Sequence, residues 1–204
     1  MKLYYSPGAC SLSPHIVLHE SGLAFQHVKA DLKAHKLDDG TDYYGINPKG
    51  YVPLLELDDG TRLTEGPVIV QYIADQVPTK NLAPANGTLP RYRLQEWLNF
   101  ITTELHKTFS VLFNPAYPEE AKAINTKKLG ERFAYVNAQL EGKQYLMGEH
   151  FSVADAYLYV ILRWARAKNV DTSGFTELNS FFDRVDNRPA VQEALKHEAA
   201  AHAH

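Results

Sequence analysis

The chain has 204 residues, 45% hydrophobic and 22% charged, with a formal net charge of −3. That length and balance describe one large or two small soluble globular domains, and no basic run offers a surface that tracks phosphates, so nucleic acid is not an expected partner. One cysteine, Cys10, excludes an internal disulfide framework and any multi-thiolate metal cluster. No metal is expected. No apolar run approaches the ~18 residues of a membrane span, and no charged and apolar leader precedes the first strand, so the cytoplasm is the expected compartment.

Leu3 and Tyr5 alternate with Lys2 and Tyr4 at the period of a strand. Pro7 and Gly8 end it, and Ser11, Ser13 and Pro14 are residues that open helices. Cys10 falls at that junction, where a helix N-terminus stabilises a thiolate. A lone cysteine reads equally as a small buried hydrophobe. Tyr4 and Tyr5 read as packing residues, one of them facing the core. A helix from about Ser11 to Ser21 carries Leu12 and Ile16 and closes at Gly22. Phe25 to Ala30 reads as a strand, and residues 31–47 as loop or a loose helix. Leu54–Leu57 and Arg62–Thr64 are two strands joined by the hairpin signal Asp59-Gly60. Pro53 at the head of a central strand suggests a cis Val52-Pro53 bond. Glu65-Gly66-Pro67 opens a helix with Val68, Ile69, Tyr72 and Ile73 as its apolar face.

Residues 78–89 break every period and read as a linker. Beyond them only helices are expected. From Pro90 to about Phe109, Leu94, Trp97, Leu98, Ile101 and Leu105 form an apolar stripe, and Asn99, Thr103 and His106 lie on one polar stripe at i, i+4, i+7. A second long helix runs from about Glu119 to Leu140. Ser152 caps a buried helix through Leu158, Ile161, Leu162 and Trp164, with Asp155 reaching back in a capping box. Shorter helices near Glu177–Val185 and Ala190–Lys196 finish the chain, and the Glu-Ala-Ala-Ala-His-Ala-His tail with His202 and His204 reads as frayed surface.

The Cys10 turn, Val52-Pro53, Glu65-Gly66 and the Ser152–Asp155 cap occur in this order. Together they resemble a cytosolic glutathione S-transferase over essentially the whole chain. Tyr4-Tyr-Ser-Pro-Gly-Ala-Cys-Ser-Leu-Ser-Pro14 and Thr103-Glu-Leu-His-Lys107 are similar to its bacterial beta class. The resemblance implies an α/β thioredoxin-like N-terminal domain (βαβ-ββα) over 1–77 that binds glutathione, a linker over 78–89, and an all-α domain over 90–204 that holds the acceptor substrate. Glutathione is then the co-substrate and a small hydrophobic electrophile the acceptor. A homodimer is implied as well.

The resemblance also implies site residues. Cys10, His106 and Ser11 are the catalytic candidates, His106 as a proton acceptor and Ser11 as a donor to the ligand sulfur. Val52 offers backbone groups to the cysteinyl part of glutathione beside Pro53. Glu65 and the helix N-terminus at Gly66 take the γ-glutamyl end. Asn99, Thr103, Glu104, Leu105 and His106 line or approach the pocket. Where related sequences commonly carry Lys for the glycyl carboxylate, this chain has His35, with Lys36 next to it. Phe109, Phe113, Tyr157 and Trp164 either line the acceptor pocket or fill the helical core. Cys10 also permits thiol transfer or peroxide reduction through a mixed disulfide. A dithiol redox protein lacks its second cysteine here. A non-catalytic ligand-binding member of the same fold is the competing reading.

Overall fold

The computed structural model describes residues 1–202 as two compact units. The first comprises Met1–Leu82 together with the chain from Arg188 onward, and the second Ala83–Asn187.

In the first unit a five-stranded mixed sheet has the order β3-β2-β1-β4-β5. Its strands are β1 (Lys2–Tyr5), β2 (Gln26–Asp31), β3 (Lys36–Leu37), β4 (Leu54–Glu56) and β5 (Arg62–Thr64). β1 pairs parallel with β2 and antiparallel with β4, and the β4–β5 hairpin is antiparallel. Helix α1 (Leu12–Ser21) links β1 to β2, and α2 (Gly66–Gln76) follows β5. This is the expected βαβ-ββα thioredoxin-like arrangement. Gly22 ends α1 at φ 73°, a left-handed conformation that costs a residue without a Cβ little.

Three details differ from the sequence expectation. The stretch 31–47 contains β3 and a short 3-10 turn, Tyr43–Gly45, rather than loop alone. A two-residue strand carries no periodicity of its own; pairing with β2 creates it. Tyr4 and Tyr5 are both buried, because a central strand has both faces covered: Tyr4 packs with Tyr43, Val52 and Leu54, and Tyr5 against His15 and His197. On α2 the buried face is Ile69, Val70, Ile73 and Ala74, whereas Val68 is exposed.

The closing helix α8 spans Pro189–His202 and packs on α1. It therefore groups with the first unit and not with the helical half, where 90–204 was expected to belong. The tail is helical at least as far as His202, and Glu198 is buried rather than frayed. His204 lies outside the described residues.

In the second unit a helical rod runs as α3 (Leu89–Phe100), a π segment (Ile101–His106) and α4 (Lys107–Phe113). Three consecutive β-branched residues, Ile101, Thr102 and Thr103, are poor α-formers, and Thr102 and Thr103 donate their hydroxyls back to the Leu98 and Asn99 carbonyls at 2.8 and 3.0 Å. Those side chains compete for the carbonyls that an α-ladder uses. The rod packs with α5 (Glu119–Leu140) and α6 (Val153–Ala167), and α7 (Thr176–Asp186) closes the unit. Asp155 accepts from the Ser152 N–H at 2.7 Å, the Ser152 hydroxyl at 2.8 Å and the Leu146 N–H at 2.8 Å, so the expected cap also ties the preceding loop to α6. Among the described residues no helix is long and apolar enough to cross a membrane.

Candidate active site

The turn after β1 is fixed by its own backbone and by Ser11. Ala9 N–H donates to the Ser6 carbonyl and Leu12 N–H to the Ala9 carbonyl, each at 3.1 Å. Ser11 is fully buried, and its Oγ accepts the Ser6 N–H at 3.1 Å and donates to the Ser6 carbonyl at 3.2 Å. Its hydroxyl pins the turn. Cys10, one residue earlier, is half-buried. Its thiol donates to the Val52 carbonyl at 3.4 Å.

The Val52-Pro53 bond is cis, as expected, and β4 starts only at Leu54, so the missing N–H of Pro53 removes no ladder bond. The side chain of Val52 is core, while its carbonyl meets Cys10. Gly66 adjoins the same proline: a Cβ there would stand 3.8 Å from Pro53 Cγ. Cys10, Val52, Pro53 and the N-terminus of α2 are thus contiguous.

Glu65 precedes that N-terminus at φ 69° and ψ 108°, a conformation that costs a non-glycine residue about 1–3 kcal/mol. Its carbonyl accepts the Val68 and Ile69 N–H groups at 2.9 and 3.0 Å, which begins the helix. Its carboxylate is exposed and pairs with Lys49 at 2.7 Å, and Lys49 also reaches the Thr64 hydroxyl at 3.0 Å. Lys49 was not singled out from the sequence; the Asn47-Pro-Lys-Gly50 turn next to Val52-Pro53 is the signal that places it.

His35 also has a positive φ of 53°. Its ring stacks on Tyr44 at 4.3 Å, and its Nε2 lies 3.1 Å from the Tyr44 hydroxyl. Gly50 makes room for both: a Cβ there would stand 2.6 Å from Tyr44 Cε1 and 3.1 Å from His35 Nδ1. His35 Nδ1 is buried without a hydrogen-bond partner. Lys36 is exposed in β3, paired in register with Asp31.

In the helical unit, the π segment ends on His106. Its Nδ1 is hydrogen-bonded to the Tyr157 hydroxyl, and its ring meets Trp164 edge-on at 4.8 Å, both on α6. Asn99 and Thr103 are exposed, and the Thr103 hydroxyl is bound to the Asn99 carbonyl. The two residues before His106 are tied into the unit. Leu105 is fully buried in the core of the unit. Glu104 is held by Arg132 at 2.7 Å and Lys128 at 3.6 Å; the Arg132 hydrogen bond, above all, keeps its carboxyl below the usual range. Its carboxylate binds the rod to α5. Phe109, Tyr157 and Trp164 are buried, while Phe113 is 45% exposed.

A half-buried cysteine at a helix start, facing a cis-proline loop on a thioredoxin-like sheet and followed by an all-helical unit, defines a class of thiol-handling protein. Residues 8–76 match the glutathione S-transferase N-terminal domain, and residues 100–189 the glutathione S-transferase C-terminal domain. The chain is 48% identical to glutathione S-transferase GstA of Escherichia coli O157:H7, over 97% of this chain and 98% of that one. Among solved structures it resembles a sphingomonad glutathione S-transferase complexed with glutathione, at 47% identity and TM-score 0.94 over 98% of this chain and 99% of that chain. The bacterial beta class glutathione S-transferase of Sphingomonas chungbukensis is similar at 46% identity and TM-score 0.94, over 97% and 98%. The chain belongs to the glutathione S-transferase family.

Proposed function

We propose that this transferase conjugates the thiol of glutathione to small hydrophobic electrophiles, and that Cys10 gives it a second, thiol-transfer activity. The observation that carries the reading is the half-buried Cys10 thiol 3.4 Å from the Val52 carbonyl, directly before cis Pro53. An extended cysteinyl backbone pairs with Val52 in strand-addition fashion, which brings the glutathione sulfur toward Cys10. The γ-glutamyl carboxylate is suited to the N-terminus of α2 at Gly66, and its ammonium to Glu65. His35, with its unpartnered Nδ1, is the assigned group for the glycyl carboxylate in preference to the exposed Lys36.

In conjugation the glutathione S–H bond is broken, sulfur bonds to the electrophilic carbon, and the leaving group or the carbon's π electrons take the displaced pair. His106 is the assigned proton acceptor. The hydrogen bond between its Nδ1 and the Tyr157 hydroxyl holds the imidazole in place, and imidazole is the side chain that exchanges a proton near neutral pH. Asn99 and Thr103, exposed on the same rod, are assigned to glutathione contact. In thiol transfer the Cys10 thiolate attacks one sulfur of oxidised glutathione, the S–S bond breaks, and one glutathione thiolate leaves. A homodimer in the cytoplasm completes the reading.

The experiment is intact mass after incubation with oxidised glutathione, for wild type and Cys10→Ala, alongside conjugation of a generic aromatic electrophile. An adduct on wild type only, with conjugation preserved in Cys10→Ala, separates the two activities as proposed. Loss of conjugation in the variant makes Cys10 part of that chemistry too. Neither adduct nor turnover in either protein overturns the reading in favour of a non-catalytic glutathione- or ligand-binding member.

A further inference from the structure

Away from the Cys10–Val52 contact, the first unit gathers four histidines where α1, β2 and α8 meet. His15 and His19 stand one turn apart on α1, His27 lies on β2, and His197 lies on α8. Nε2 of His15 and Nε2 of His27 are 2.8 Å apart, so one ring donates to the other. One nitrogen from each of His15, His19 and His27 lies within 4.8 Å of the others. His19 Nε2 is buried without a hydrogen-bond partner. His197 stacks on His27 at 3.6 Å and covers the group from one side. Burying three imidazoles together costs polar solvation and leaves a nitrogen unsatisfied, a cost that packing alone would avoid with leucine or phenylalanine.

We infer that His15, His19 and His27 form a binding site for one divalent transition-metal ion of the zinc type, with Glu198 orienting His15 from behind. Imidazole nitrogens select such ions over magnesium or calcium, which take oxygen ligands. A tetrahedral ion at 2.0–2.1 Å from each nitrogen needs them roughly 3.3 Å apart, a value that lies between the 2.8 Å of the His15–His27 pair and the 4.8 Å limit of the group. His15 Nδ1 faces Glu198 Oε1 at 3.3 Å, and donation there leaves His15 Nε2 as a lone pair aimed at His27. This is the carboxylate–histidine pairing that commonly stands behind metal ligands. On binding, the ion replaces the proton between the two Nε2 atoms, which passes to His27 Nδ1. A fourth position remains for water. The other oxygen of Glu198 accepts the Gly8 N–H at 2.8 Å, so one carboxylate joins this site to the turn that carries Cys10.

The test is equilibrium dialysis of the chelator-stripped full chain against zinc, with cobalt as a spectroscopic probe of nitrogen coordination. One saturable zinc per chain is expected, abolished in His19→Gln/His27→Gln and weakened about 10–100-fold in Glu198→Gln. Binding should persist in Cys10→Ala and in His202→Ala/His204→Ala, which remove the competing thiol and tail imidazoles. No saturable binding overturns the site, as does binding that survives His19→Gln/His27→Gln but disappears with the tail or thiol variant. Should the double variant fail to fold, imidazole nitrogen resonances of the wild type decide. Shifts of His15, His19 and His27 on zinc addition support the site, and shifts confined to other histidines overturn it.

Discussion

His106 shows how chemistry can hang on one hydrogen bond. Taken by its spacing, it belongs to a solvated helix face with Asn99 and Thr103, and only the family resemblance marks it out. In the structure it leaves that face: its ring turns to Tyr157 and Trp164. If Tyr157 fixes the Nδ1–H tautomer, His106→Gln should lower kcat for conjugation by about 10²-fold with little change in glutathione KM. Tyr157→Phe should give a smaller loss and move the pH profile, because the tautomer is then unconstrained. Steady-state kinetics across pH on both variants checks this, and an unaltered kcat in His106→Gln would remove it from the reaction. The residues beside it teach the opposite lesson. Glu104 and Leu105 share its motif, yet one is tied to Arg132 and Lys128 and the other is core. A linear motif does not say which of its side chains reach a ligand.

Among elements, those with a clean period were legible and those made by tertiary pairing were not. Helix α5 runs over the expected Glu119–Leu140, and the β4–β5 hairpin follows from Asp59-Gly60. The π segment escaped because Ile101 and Leu105 still keep the apolar stripe of an α-helix; threonine hydroxyls on the carbonyls were the available sign. The cap of α6 was readable, and it sets a prediction. Asp155→Ala leaves the buried N–H groups of Ser152 and Leu146 unpaired, so it should cost about 2–4 kcal/mol, read as a lowered urea midpoint. A midpoint within error of wild type would mean that water satisfies both groups. In the sheet, Glu56 receives Lys2 and Arg62, each at 2.9 Å, and the Lys2 hydrogen bond leads in holding its carboxyl below the ordinary range. As pH falls, the unfolded chain takes up that proton before the folded one does. The stabilisation is complete above the unfolded carboxylate pKa of about 4.3 and is lost as pH drops through the lower folded value. Glu56→Gln should therefore be less stable at pH 7 and show a flatter loss of stability across that acid range, measured by urea unfolding.

At the scale of the molecule, the least legible feature is that the chain returns to its beginning. In sequence, the alanine-rich stretch with His202 and His204 looks like a dispensable tail, and only the fold reveals what the closing helix covers. Arg188 grips Glu20 on α1 through Nε and Nη2 at 2.6 and 3.0 Å, Val191 and Ala194 are fully buried, and Lys29 of β2 donates to the Ala201 carbonyl at 2.8 Å. Glu198 adds its bonds to Gly8 and His15. These contacts explain why α1 is buried on nearly every side and shows no amphipathic pattern: α2 and α8 both pack against it. Arg188→Ala strands the Glu20 carboxylate, only 13% exposed, and should cost about 2–3 kcal/mol. Arg93→Ala removes an equally short but exposed pair with Glu96 and should have no measurable effect. Ending the chain at Asn187 uncovers α1 and the Gly8 turn together. That truncation should lower the melting temperature far more than Arg188→Ala and abolish retention on immobilised glutathione. A truncated chain that melts and binds like the full one would show that the N-terminal sheet needs no closing helix, and that the Cys10 turn holds its shape without Glu198.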